Sequence, residues 1–208
     1  MATGRPSRSS TPTHRKAALL GAKVVAMPQP SFYPLLVVLF TCAIAAAWDL
    51  RTGEIPNPLI ALGFVATLAA MALGAADLGA FARGLGWMVV GLVIVALVPL
   101  MLFRAGGMGG GDVKLLALVG AALGPYAGIE SELYAFVIAM LYAPVRLIWE
   151  GKLVAAMKAT GTMAVRPLLP KHRRPSPPPR ETLTALRFGP AIFLGTLLTF
   201  VHHLGGVR

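Results

Sequence analysis

The sequence predicts an all-α fold, a polytopic membrane protein built as a bundle of about six transmembrane helices. Three observations predict it. The 208 residues are 56% hydrophobic and only 13% charged, with a mean hydropathy of +0.72, which is not the composition of a soluble globular domain. Apolar runs near or above bilayer-spanning length recur along the chain. The basic residues behind the net charge of +11 cluster outside those runs, as the positive-inside rule expects. No basic face with interleaved aromatics accompanies them, so the charge points to a membrane surface and not to nucleic acid.

Residues 1–31 form a basic tail rich in Ser, Thr and Pro. Nothing in it predicts a folded unit, and it reads as disordered. The first apolar segment, Tyr33 to Trp48, has aromatic residues at both ends as interfacial anchors. Asp49 to Pro58 follows as a polar hairpin whose Gly53, Pro56 and Pro58 oppose a continued helix. Leu59 to Ala76 is the second segment and Phe81 to Phe103 the third, with Arg83 near one end and Arg104 after the other. Val113 to Tyr126 is short and carries Lys114, Gly120 and Gly124, which places it inside a bundle rather than against lipid. A turn at Glu130–Glu132 leads to the fifth segment, Leu133 to Trp149. The stretch 151–187 is a basic connection with a Pro-rich centre that cannot form a packed core. Phe188 to Leu204 is the sixth segment and closes the membrane unit, 32–208.

The single cysteine, Cys42, excludes an intrachain disulfide and a four-cysteine zinc site. His202-His203 is a vicinal pair without the i, i+4 spacing of helical metal ligands, so no metal is expected. The glycine run ends in Asp-Val-Lys, not the Gly-Lys-Ser/Thr of a P-loop, and no dinucleotide fingerprint is present.

What remains is a pair of aspartates. Asp49 ends segment one, and Asp112 begins segment four behind Gly109-Gly110-Gly111. With alternating crossings, both lie at the same membrane face. Connections on that face carry Arg51, Arg104, Lys152, Lys158, Arg166, Lys171, Arg173, Arg174, Arg180 and Arg187; those opposite carry Asp77, Glu130 and Glu132. The aspartate face is therefore expected to be cytoplasmic. The basic tail before segment one conflicts with that orientation, and a natural start at Met27 would remove the conflict.

Two carboxylates brought together repel, so one usually keeps its proton. The ionised member can take a proton from an attacking water while the protonated member polarises a carbonyl, which suffices for peptide hydrolysis without a cofactor. Gly109, Gly110 and Gly111 would let an extended substrate backbone approach Asp112. Lys114 is either a supporting charge for the pair or a side chain snorkelling to the interface. A small proton-coupled transporter is the alternative from another class, but it favours acids at mid-membrane and broken helices in paired halves. A non-catalytic scaffold of a pilus or secretion machine is the third reading.

Gly109-Gly110-Gly111-Asp112 followed by Val113-Lys114-Leu115 resembles the Gly-x-Gly-Asp motif of the type IV prepilin peptidase family. Asp49-Leu50-Arg51 with Ile55-Pro56-Asn57 resembles that family's first aspartate motif, and Phe188-Gly189-Pro190-Ala191 its Phe-Gly-Pro segment. The three matches occur in family order. The resemblance implies that Asp49 and Asp112 are catalytic and that a prepilin is the substrate. It further implies cleavage of the leader after a glycine at the cytoplasmic face of the bacterial inner membrane. Larger members carry an amino-terminal portion with paired cysteines and N-methylate the product. This chain looks most like the short members serving Flp-type pili in tight-adherence systems, so peptidase activity alone is expected.

Overall fold

The computed structural model describes residues 32–149 and 187–205, with isolated positions 151, 154, 155, 157, 158 and 161 between them. The basic tail and most of the Pro-rich connection lie outside the described residues. Among the described residues, five helices have both bounds in view: α1 (Phe32–Thr52), α2 (Asn57–Gly74), α3 (Leu78–Arg104), α4 (Gly110–Trp149) and α5 (Gly189–Gly205). No strand occurs among the described residues. α1 to α4 are each long and apolar enough to cross a membrane. The protein is a polytopic all-α membrane protein.

The helix limits follow local chemistry. α1 runs one turn past Trp48, so Asp49 sits within its last turn and not after its end. Gly53, at φ +76, stops it in the left-handed conformation that costs glycine least. Pro56 in extended conformation precedes α2, with Pro58 in its first turn, where a missing N–H is harmless. Asp77 caps α3, its Oδ1 accepting from the Ala80 N–H at 2.6 Å.

The largest departure from the sequence reading lies in α4, which breaks at Gly124, with φ 77 and ψ 179. Only glycine adopts that conformation readily, and Pro125 starts the next limb in the position proline favours. The two limbs fold back on each other: a Cβ at Gly128 would lie 3.0 Å from Gly120 Cα, too close for residues eight apart in one straight helix. The turn expected at Glu130–Glu132 is thus made by Gly124-Pro125, and those acids lie within the second limb. Counting the limbs separately, these five helices make six rods.

The first limb of α4 is the centre of the bundle. Leu115, Leu116, Leu118 and Val119 are fully buried, against Leu35, Val38, Cys42 and Ala45 of α1 and Val95 of α3. α4 touches all four other helices. It approaches α3 through glycines: a Cβ at Gly91 would stand 2.2 Å from the Gly120 carbonyl oxygen, so the backbones meet directly, as small residues allow in membranes. Its second limb meets α5 the same way, with Gly195 on the Ser131 carbonyl and a buried Ser131–Thr196 hydroxyl hydrogen bond of 3.1 Å. This parity puts the end of α1, the start of α4 and the start of α5 at one end of the molecule.

Candidate active site

Asp49 and Asp112, distant in sequence, line one cavity of about 370 Å³. They are near enough for their charges to interact. Asp49 is 4% exposed. The backbone N–H of Gly189, at the start of α5, donates to its Oδ2 at 3.0 Å. A Cβ at residue 189 would lie 2.9 Å from that oxygen and 3.0 Å from the Asp49 Cβ, so only glycine lets the α5 terminus come this close. The Phe-Gly-Pro segment therefore positions the first aspartate through its glycine.

Asp112 is held by its own helix. The Val113 N–H bonds the Gly109 carbonyl at 3.3 Å, which makes Gly109 the residue preceding the first turn. The Gly109 N–H in turn hydrogen-bonds the Asp112 carboxylate. This is the reciprocal half of a capping box, in which an acid three residues in satisfies an orphan donor. The partial positive charge of the helix N-terminus favours the carboxylate there.

The three motif glycines face different surroundings. Gly109 lines the cavity, and a Cβ there would lie 2.9 Å from Asp112 Oδ2. Gly110 lies under the Phe103 ring, and a Cβ at Gly111 would lie 3.0 Å from the Ile55 Cβ. The Ile-Pro-Asn stretch is thereby docked against the glycine run. Lys114 makes a second tie between the same elements, its Nζ donating to Asn57 Oδ1 at 2.7 Å.

The remaining walls include residues the sequence reading did not single out. Phe136, Ala139, Met140 and Ala143 come from one face of the second limb of α4, spaced three and four apart, and Leu102, Met108 and Phe188 complete the apolar lining. The Phe136 and Phe188 rings meet at a tilt of 55°, 5.5 Å between centroids. The spacing in α4 is visible in the sequence, but nearly every residue there is apolar, so hydrophobicity alone does not say which face looks inward. His202 and His203 lie at the other end, where both contact Glu130. Among the described residues no group of three or more His, Cys, Asp or Glu side chains is arranged to hold a metal ion.

The chain is similar to known proteins over most of its length. A prepilin leader peptidase/N-methyltransferase of Bacillus subtilis (strain 168) is 28% identical over 170 residues, covering 82% of this chain and 56% of the relative. The chain thus spans about half the length of that curated relative. No solved structure matches. Residues 36–144, more than half of the chain and including both aspartates, match the type IV leader peptidase family, and it is to this family that the chain belongs.

Proposed function

We propose that the protein is a membrane aspartic endopeptidase that removes the leader from a prepilin, using Asp49 and Asp112 to activate water. The observation that carries the reading is the shared cavity: two carboxylates from different helices meet at the end of the bundle, each steadied by a glycine amide. Family membership and the prepilin peptidase named above support the substrate class.

In this mechanism the two carboxyls hold one proton between them, because both cannot be charged at close range. The ionised one removes a proton from water as oxygen attacks the scissile carbonyl, and the protonated one hydrogen-bonds the developing oxyanion. The tetrahedral adduct then collapses, the C–N bond breaks, and the proton taken from water passes to the leaving amine. Gly109, beside Asp112, leaves room for an extended backbone, while the apolar walls receive side chains flanking the cut. Lys114, through Asn57, keeps α2 registered on α4 beneath the pair.

The charge distribution supports a cytoplasmic active site in the inner membrane, and the similarity to short members supports a Flp-type prepilin and association with pilus assembly proteins. Purified full-length protein in detergent, incubated with a Flp-type prepilin, should release the leader; an intact prepilin after prolonged incubation overturns the reading. The orientation has its own test. Thr52→Cys should resist an impermeant thiol reagent in intact cells and Leu78→Cys should react, while buried Cys42 stays silent. The reverse pattern would move the site to the other face.

A further inference from the structure

At the end of the bundle remote from the aspartates, α2 and α3 are joined by only residues 75–77, yet they barely touch along their lengths. They splay around a wedge of about 800 Å³, floored by Ala121 to Gly124 of α4. That volume lies in the range of a small-molecule site, on the order of 300–1,000 Å³. A lipid-facing wedge in a bilayer is filled by whatever the bilayer supplies.

Three features say what fits. Arg83 stands on the wall of the wedge, about 7.5 Å along α3 from its start at 1.5 Å per residue, and long basic side chains at such depth reach up to the headgroup level. Thr67 lies about 10 Å in from the matching end of α2 by the same rise. It is 1% exposed, lines the wedge, and its Oγ1 has no hydrogen-bond partner among the described residues. The rest of the lining is apolar or small, including Met71, Trp87, Met88 and Leu123. A cation above, a buried hydroxyl one level below and an apolar crevice follow the order of groups in a glycerophospholipid: phosphate, ester, acyl chain. Asp77, already engaged as the cap of α3, flanks Gly79 together with Arg83. The adjacent negative charge favours a headgroup that also carries an ammonium.

We propose that this wedge is a phospholipid seat, with the phosphate on Arg83, an ester oxygen accepting from the Thr67 hydroxyl and one acyl chain between α2 and α3. The bound lipid would complete the packing that the two helices do not make with each other. The proposal stands apart from the peptidase reading, because lipid retention is read without any cleavage assay.

The test is native mass spectrometry of the full-length protein released from detergent after titration with phosphatidylethanolamine, phosphatidylglycerol or diacylglycerol. One tightly retained phosphatidylethanolamine is expected, with phosphatidylglycerol held more weakly and diacylglycerol not at all. Arg83→Gln should reduce occupancy at least fivefold at fixed lipid. Gly86→Leu projects a side chain into space with nothing within 4 Å of its Cβ, so it should displace the lipid while the protein keeps its helical content. Equal retention in wild type, Arg83→Gln and Gly86→Leu overturns the proposal, as does diacylglycerol binding as well as the phospholipids.

Discussion

At one end of the bundle two carboxylates are steadied by glycine amides around an open cavity; at the other, Glu130 is ringed by side chains. His202 and His203 both contact it, the latter at 3.3 Å, and the Tyr134 hydroxyl donates to it at 3.1 Å. The histidines lie in the last turn of α5, where a cation is favoured by the helix dipole. The difference is one of chemistry. An acid with one oxygen bonded by an imidazole and a phenol, and the other beside a second imidazole, ties two helices together. Two acids lining one cavity suit the proposed exchange of a proton with something that enters it.

That contrast is broken or sharpened most strongly at the dyad. Asp49→Asn and Asp112→Asn are near-isosteric, so each should insert normally and lose about a thousandfold or more of prepilin cleavage. The double variant should be little worse than either single one, because groups acting as a unit are not additive. Cleavage rates at matched levels of inserted protein decide this, and a single variant near wild-type rate removes the dyad from the mechanism.

The next largest effect compares two glycines on α5. Gly189→Ala puts a Cβ against the Asp49 carboxylate, and Gly195→Ala puts one 2.6 Å from the Ser131 carbonyl oxygen. Overpacking costs about 1–3 kcal/mol, so both should lower the thermal midpoint. Only Gly189→Ala should also slow cleavage per folded molecule, by roughly 10- to 100-fold, since a misplacement of this size at reacting groups carries such a penalty. Equal slowing by both would mean that general loosening of α5, not the position of Asp49, sets the rate.

Much of this was legible in the sequence, for a physical reason. Hydrocarbon excludes unsatisfied backbone, so long apolar runs must be helices, and parity then placed Asp49 and Asp112 at one end. Facing was not legible. In a soluble helix the polar stripe marks the outside, but α4 is apolar on nearly all sides, so Phe136 and Ala139 gave no sign of lining the cavity. Polarity points to a turn at Glu130–Glu132, but the backbone chemistry of Gly124-Pro125 sets it. Glu132 is in fact buried, a placement that hydropathy counts against. Gly189 was found through its motif, while its hydrogen bond to Asp49 depends on a close approach that only coordinates display.

Lys114 separates two roles that sequence left open. Its ammonium bonds Asn57, so Lys114→Met should cost two- to fivefold in cleavage through looser registry of α2 on α4. Asn57→Ala should cost about the same, and the pair should not add, because both remove one hydrogen bond. A hundredfold loss confined to Lys114→Met would instead make the lysine a direct electrostatic partner of the aspartates.

The smallest expected effect is at the clamp. Glu130→Gln keeps the shape and a hydrogen-bond acceptor for Tyr134, and removes the charge facing His202 and His203. Glu130 is about one-quarter exposed and His202 about two-thirds exposed, so solvent screens much of the attraction, and pairs of this kind contribute roughly 0–1 kcal/mol. The thermal midpoint in detergent should therefore fall slightly, and the gap between Glu130→Gln and wild type should narrow as salt is raised, since screening weakens the wild-type pair alone. Cleavage per folded molecule should stay within twofold, because the clamp lies at the opposite end of the bundle from the dyad. A large loss of cleavage without loss of stability would mean that the two ends communicate through the α4 hairpin, and Glu130 would then belong with the working groups rather than with the scaffold.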